Sequence, residues 1–168
     1  MAEIQRKTSV DRIDPQGAGG SPAAIHPQVF KHTVDQADMA ISITDVHGKI
    51  VYVNCAFACL TGHDADTVIG ENESILSNKT TPSEVYRSMW QKISCGEPWS
   101  GRLINRRKDG TPYIADLSIS PVLDAAGELV YFLGMHRDVT ALHRLECEVK
   151  NQKAMIESVV DAAPMVIA

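Results

Sequence analysis

Three polar residues from separate parts of the chain, Glu73, Asn105 and His136, could together bind a small ligand. Asn105 and His136 each share one face of a predicted strand with apolar residues. Buried amide and imidazole groups need hydrogen-bond partners, and for either residue alone a backbone or water partner is the common explanation. The pair together with a carboxylate favours a planar, polar ligand. Glu73 could change protonation and His136 could change tautomer or charge, although Glu73 could also be a solvated carboxylate at the end of a loop.

The alternation of side chains along strands predicts which residues face this ligand. Ser42 belongs to a small, mildly polar face of the first predicted strand, which leaves room for a flat ring. The opposite faces of the first and last strands are also apolar, so they need a cover. The N-terminal helix or a second copy of the chain could supply that cover, and we therefore expect a homodimer. The predicted inward faces are Ala40, Ser42 and Thr44; Trp99, Gly101, Leu103 and Asn105; and Val130, Phe132, Gly134 and His136.

Hydrophobic periodicity and capping signals predict the elements that position these residues. Strands are expected at 39–44, 49–53, 99–108, 111–122 and 128–138, and helices at 27–36, after Asn54, after a capping box at 81–84, and from Thr140 onward. Two strands, short helices and a three-stranded meander predict an α+β domain. We expect a five-stranded antiparallel sheet with helices on one face, a cavity between them, and flanking N- and C-terminal helices.

The chain divides into four predicted parts. Residues 1–25 are rich in glycine and are expected to be disordered, residues 26–140 form the domain, and 141–157 form a linker helix. The sequence at 33–41 is repeated at 159–167, so 158–168 is expected to begin a second domain of the same type. Apolar residues along the linker helix follow a 3-4 spacing, which fits either a short coiled coil or packing on the domain's own sheet.

Composition excludes several classes of function. The chain has 168 residues, 44% of them hydrophobic, and a net charge of -5, so nucleic acid or an anionic membrane is not an expected partner. No apolar run approaches the roughly 20 residues that cross a bilayer, and residues 1–24 lack the apolar middle of a secretory signal, which favours a cytoplasmic location. The four cysteines have no zinc-site spacing. Cys55, Cys59 and His63 could form one metal-binding face, but their segment is an apolar helix, so we expect its cysteines to be buried as small apolar residues with no metal bound.

Several motifs resemble those of the PAS family. The stretch Asn72-Glu73-Ser74-Ile75-Leu76 is similar to the flavin-binding segment of LOV domains, the light-sensing members of that family. In those domains a cysteine that bonds to the flavin stands where this chain has Glu73. Ala115 replaces their second flavin-binding asparagine, and His136 replaces their glutamine. The other landmarks are Asn54-Cys55-Ala56-Phe57, Leu60-Thr61-Gly62, Arg107-Lys108-Asp109-Gly110 and Asp138-Val139-Thr140.

A more specific resemblance, running from Phe30 to Pro164, is to the first PAS domain of the NifL family of nitrogen-fixation regulators. It implies FAD as cofactor, a redox- and oxygen-sensing role, and control of a NifA-type activator through the rest of a longer protein. The FAD-binding PAS domain of the sensor kinase MmoS is a close competitor. The cofactor-binding residues expected on these grounds are Ser42, Asn72, Glu73, Leu76, Trp90, Asn105 and His136.

Three alternatives differ in class. A haem-binding PAS domain needs an axial histidine, and residues 81–95 contain none. An enzyme needs a nucleophile, a base and a group that orients it, and we recognise no such set in the sequence. A PAS domain that only dimerises, without a cofactor, remains open.

Overall fold

The computed structural model describes residues 26–162, which contain a five-stranded antiparallel sheet. The strands are β1 (Ala40–Asp45), β2 (Ile50–Val53), β3 (Trp99–Arg106), β4 (Pro112–Leu123) and β5 (Leu129–Asp138). Their order in the sheet is β2-β1-β5-β4-β3. The strands β1 and β5, which are the first and the last along the chain, are therefore neighbours in the middle of the sheet. The predicted α+β fold is confirmed.

Five helices and a 3-10 turn accompany the sheet. The helices are α1 (Pro27–Asp35), α2 (Cys55–Thr61), α3 (Ala65–Val68), α4 (Ser83–Ser94) and α5 (Thr140–Ala162), and the turn spans Glu73–Leu76. Residues 158–162 continue α5 without a break. The predicted disorder of 1–25 and the rest of the predicted second domain lie outside the described residues.

Asn54 joins three elements at one end of the sheet. Its Oδ1 accepts hydrogen bonds from the backbone N–H groups of Phe57, at 3.0 Å, and Ile41, at 2.9 Å. Its Nδ2 donates to the backbone carbonyls of Val34 and Met39. The predicted N-cap of α2 is therefore confirmed, and the same side chain also holds the end of α1 against β1.

The predicted capping box at the start of α4 is wrong. The helix begins at Ser83 with Pro82 as its N-cap residue, and no side chain caps it. The hydroxyl of Thr81 instead accepts a hydrogen bond from the backbone N–H of Ile104, at 2.9 Å. Thr81 thus ties the start of α4 to β3, a partner distant in sequence that a local motif could not reveal.

The expected burial of Cys55 and Cys59 is also wrong, because both are exposed, as are the other two cysteines of the chain. In α2, Phe57 and Thr61 lie one turn apart and face the core. Cys55 and Cys59 are offset from that pair by half a turn, so they point to solvent.

The outer face of the sheet and the two terminal helices expose apolar side chains. Tyr131 on β5 is 43% exposed, and Phe30 on α1 is 61% exposed. Since α1 has no buried residue, it does not by itself cover the outer face. Likewise α5 has no buried residue, so its apolar seam is not packed on the domain's own sheet. None of the helices described for residues 26–162 has the length and apolar character to span a bilayer.

Candidate functional site

A cavity of about 330 Å³ lies between the inner face of the sheet, α4 and the 3-10 turn. Its volume is within the range of small-molecule sites, roughly 300–1,000 Å³. Most of its walls are apolar, and a few polar side chains interrupt them. The main apolar contributors are Leu76, Met89, Ile93, Leu103, Leu117, Ile119 and Phe132.

Three polar side chains meet at one wall of this cavity. The Ser42 hydroxyl donates to Glu73 Oε1 at 2.6 Å, and its oxygen lies 2.9 Å from His136 Nε2. His136 Nε2 is also 3.2 Å from Glu73 Oε1. Ser42 and His136 are fully buried, whereas the Glu73 side chain keeps 26% of its surface exposed. Glu73 therefore points inward, and is not a solvated carboxylate.

The directions of these hydrogen bonds assign the imidazole proton. Because the Ser42 hydroxyl donates its hydrogen to Glu73, its oxygen can only accept from His136. Neutral His136 must then carry its proton on Nε2. Its Nδ1 is buried and has no hydrogen-bond partner among the described residues.

The environment favours the ionised form of Glu73. Burial alone raises the pKa of this carboxyl group, but three opposing effects outweigh it. These are the hydrogen bond from His136, the positive charge that this imidazole can carry, and the hydrogen bond from Ser42. The pKa of Glu73 is consequently below its ordinary value, so the side chain is an ionised carboxylate that can accept hydrogen bonds.

The same three residue types occur in hydrolytic triads, but the geometry here is different. In a triad the serine and the carboxylate bind opposite nitrogens of the histidine, so that the imidazole can take the serine's proton. Here Ser42 and Glu73 both lie against Nε2 of His136. The hydroxyl donates directly to the carboxylate, so the arrangement does not activate Ser42 as a nucleophile.

Gly134 leaves space for the cluster and for a ligand beside it. A Cβ atom at this position would lie 2.6 Å from Ser42 Oγ and 3.1 Å from His136 Nε2. The first distance is too short for unbonded atoms and the second is unusually tight, so any larger residue would displace the Ser42 hydroxyl. Gly134 also lines the cavity, which lets a flat ligand approach the backbone of β5.

The other predicted site residues line the cavity in different ways. Asn72 shapes the turn, because its side chain accepts from the N–H of Ser74 and donates to the carbonyl of His47. Leu76 is buried in the wall. Trp90, which is 40% exposed, packs edge-on against Phe132 with ring centroids 6.2 Å apart.

Asn105 on β3 is buried and lines the cavity. Six of the seven predicted site residues thus line one cavity, and Ser42 contacts two of them, Glu73 and His136.

Tyr86 was missed by the sequence analysis. It lines the cavity, and its hydroxyl lies 3.0 Å from Ser77 Oγ. Its position one helical turn before Trp90, beside the apolar stripe of α4, was the available signal.

Comparisons with known proteins agree with this architecture. A family model described as "PAS fold" matches residues 29–139. The nitrogen fixation regulatory protein of Klebsiella oxytoca is 37% identical over 158 residues, which cover 94% of this chain and 32% of that protein. The blue-light-activated histidine kinase 1 of Erythrobacter litoralis is 29% identical over 163 residues, covering 89% of this chain and 44% of the kinase.

A solved structure of an RNA-binding light-oxygen-voltage receptor superimposes with a TM-score of 0.74 at 27% identity, covering 84% of this chain and 41% of the receptor. The chain spans about a third of the length of the nitrogen-fixation regulator it matches. The resemblances to the PAS family and to its nitrogen-fixation regulators are confirmed.

Proposed function

The chain belongs to the PAS family, and on that premise we propose that it is an FAD-binding redox sensor within a longer regulatory protein. The observation that carries this proposal is the cluster of Glu73, Ser42 and His136 at the wall of an apolar cavity. Relatives named as a nitrogen fixation regulator and a blue-light-activated kinase support a sensory role. They leave open whether the signal is redox state or light.

The residues present fit the isoalloxazine ring of a flavin. The cavity is apolar on most sides, Gly134 leaves a flat approach to β5, and Asn105 offers an amide that can bind a polar ring edge. A cavity of about 330 Å³ suits the ring system, while the ribityl, diphosphate and adenosine parts of FAD would extend out of it. A bound flavin supplies reversible uptake of electrons and protons.

The cluster can register that uptake through hydrogen bonds. The Glu73 carboxylate would accept a hydrogen bond from a ring nitrogen that carries a proton only in the reduced flavin. The Ser42 hydroxyl rotates to match either state of Glu73. His136 donates a hydrogen bond from Nε2, which lies beside both partners, and its Nδ1 has the lone pair that can accept a proton.

The end of β5 connects this cluster to α5. His136 is followed on the same strand by Asp138, whose Oδ1 accepts from the N–H of Thr140 at 2.9 Å and from its hydroxyl at 2.6 Å. The Thr140 hydroxyl oxygen in turn accepts from the N–H of Ile114 at 2.9 Å. A shift at His136 would therefore alter the base of α5. We further propose that α5 transmits this change to a cytoplasmic output that controls a NifA-type activator.

The position of the cysteines favours redox sensing over light sensing. A light sensor of the LOV type needs a thiol beside the flavin, and Glu73 occupies the matching position in this chain. All four cysteines of the chain lie within the described residues, are exposed, and do not line the cavity.

A visible absorption spectrum of the purified chain tests the proposal. We expect the bands of an oxidised flavin, their loss on anaerobic reduction with dithionite, and their return on exposure to air. Chromatography of the released cofactor should identify FAD. Folded protein that is colourless and takes up no added FAD would refute the proposal and favour a dimerisation module.

Blue light should produce no covalent adduct in the FAD-loaded chain. The expected result is an unchanged oxidised spectrum during illumination without a reductant, because no thiol reaches the cavity. A LOV domain in the same buffer is the positive control. Bleaching under light followed by recovery in the dark would contradict the assignment of the signal to redox state.

We also expect a homodimer that covers the outer face of the sheet. Sedimentation should show a dimer at micromolar concentration, because Tyr131 and the apolar side chains near it, with α1, would otherwise stay exposed. Tyr131→Lys should weaken the dimer about tenfold or more, since a charge in an apolar interface is unfavourable. The control is Ile69→Lys, at an exposed position after α3. A wild-type monomer at high micromolar concentration would rule the dimer out.

A further inference from the structure

The cavity opens on one side only of its lining, between the 3-10 turn and α4. The lining residues contributed by the sheet are all buried. Those that keep part of their surface exposed lie on the turn, at its two ends, or on α4, so a ligand too long for the cavity must leave it there. The exposed or half-buried lining residues are Asn72, Glu73, Ser74, Ser77, Tyr86 and Trp90.

A hydrogen bond between two hydroxyl groups links the two sides of this opening. Ser77 is the residue at which the turn ends, Tyr86 lies on α4, and Tyr86 Oη is 3.0 Å from Ser77 Oγ. Ser77 Oγ also accepts from the backbone N–H of Lys79 at 3.1 Å. Neither hydroxyl makes another hydrogen bond with the described residues. The pair is therefore a polar point at the opening of a cavity with mostly apolar walls.

The two hydroxyl groups have one hydrogen atom to spare. In their mutual bond one group donates and the other accepts. If Tyr86 donates, the hydrogen of Ser77 is unused, and if Ser77 donates, the hydrogen of Tyr86 is unused. In both arrangements Tyr86 Oη keeps a lone pair that can accept. The pair can thus both donate to and accept from a ligand hydroxyl, which has the same two abilities.

The charge at the opening favours a neutral group of the ligand. Among the described residues that line the cavity there is no lysine or arginine, and the one carboxylate is Glu73. A phosphate group held at the opening would be repelled by this carboxylate and would find no cation in the lining. A chain of uncharged hydroxyl groups meets neither difficulty.

We propose that Tyr86, together with Ser77, binds the hydroxyl groups of the flavin's ribityl chain where this chain leaves the cavity. The inference deepens the proposed function and rests on it, because the ribityl chain joins the isoalloxazine ring to the diphosphate of FAD. Tyr86 is then a residue that selects ligands with a polyol chain on the ring. If the pair only tied the turn to α4, its loss would affect every ligand of the cavity to the same degree.

Riboflavin and lumiflavin separate these two roles, since they share the ring and lumiflavin has a methyl group in place of the ribityl chain. Calorimetric titration of the FAD-free chain measures both affinities. The wild type should bind riboflavin more tightly than lumiflavin. Tyr86→Phe should weaken riboflavin binding roughly two- to tenfold, the effect of one hydrogen bond, and leave lumiflavin binding unchanged. Tyr131→Phe, which removes a phenol hydroxyl from the outer face of the sheet, is the matched control and should change neither affinity.

Ser77→Ala provides a second test, which also decides the matter if Tyr86→Phe does not fold. It should reduce the preference for riboflavin in the same way, and its effect should be smaller once Tyr86→Phe is present, because the two hydroxyls act as a pair. Circular dichroism and melting temperatures establish that each variant is folded.

Two results would overturn the inference. One is an equal loss of riboflavin and lumiflavin affinity in the folded variants, and the other is no change in either affinity. A wild-type chain that binds none of FAD, riboflavin and lumiflavin would overturn the proposed function as well. A wild-type chain that binds FAD but prefers riboflavin to lumiflavin no less after Tyr86→Phe and Ser77→Ala would overturn this inference alone.

Discussion

Replacing Gly134 with valine should weaken FAD binding by up to roughly a hundredfold while leaving a folded domain. The new Cβ would be placed 2.6 Å from Ser42 Oγ and 3.1 Å from His136 Nε2, so the polar cluster must move. Gly134 itself lines the cavity, so the two methyl groups of valine would also take up space inside it. Overpacking of this kind is unfavourable by about 1–3 kcal/mol, and at the upper end it corresponds to a roughly hundredfold weaker affinity. Titration of the FAD-free protein, followed by flavin fluorescence, measures the change.

A second variant shows whether the clash is the cause. Gly134→Ala should weaken binding less than valine, because it adds only the Cβ atom. Combining it with Ser42→Ala removes the nearest clashing atom, Ser42 Oγ, and should recover part of the affinity. Circular dichroism confirms that each variant is folded. If Gly134→Val bound FAD as tightly as the wild type, the cavity beside β5 would not be the flavin site.

Replacing Glu73 with alanine should uncouple the domain's structure from the redox state of the flavin. The ring would still be held by apolar packing and by Asn105, so we expect FAD to remain bound. The variant loses the one ionisable carboxylate that contacts both Ser42 and His136. In the wild type, amide hydrogen exchange in α5 should differ between the oxidised and reduced forms, because two states of the cluster favour two conformations. In Glu73→Ala this difference should disappear.

Two further variants make this result specific. Glu73→Gln keeps the shape of the side chain but cannot ionise, so it should also lose the difference if proton exchange is the signal. Glu71→Ala removes an exposed carboxylate two positions away and should behave as the wild type. In the full-length protein, Glu73→Ala should hold the output in one state under both oxidising and reducing conditions. If the variant kept the full exchange difference in α5, Glu73 would not transmit the signal, and His136 would be the next residue to change.

Elements with strong local signals were predictable from the sequence. The inward faces of β3 and β5 follow from the period of two along a strand, which places Asn105 and His136 on the same side as their buried neighbours. The start of α2 follows from the chemistry of Asn54, whose short side chain can accept from the N–H of Phe57. Both patterns depend on residues within a few positions of each other, so no knowledge of the rest of the chain is needed.

Local signals failed where a distant partner decided the outcome. The sequence around Thr81 has the pattern of a capping box, but the Thr81 hydroxyl instead accepts a hydrogen bond from the backbone N–H of Ile104. The cysteines of α2 were expected inside because the helix is apolar throughout. Only the docking of Phe57 and Thr61 on the sheet decides which side of that helix is exposed.

By itself, the sequence determined the fold class, the inward faces of the strands, and the chemical types available to the site, because periodicity and short motifs encode these locally. The tertiary structure alone decided how those groups meet. Ser42 is separated from Glu73 by 31 positions and from His136 by 94. They come together because β1 and β5 pair at the centre of the sheet, while the 3-10 turn closes over them. Which nitrogen of His136 they share, and the space that Gly134 leaves beside them, depend on distances of a few tenths of an ångström, and these are set by packing across the whole domain.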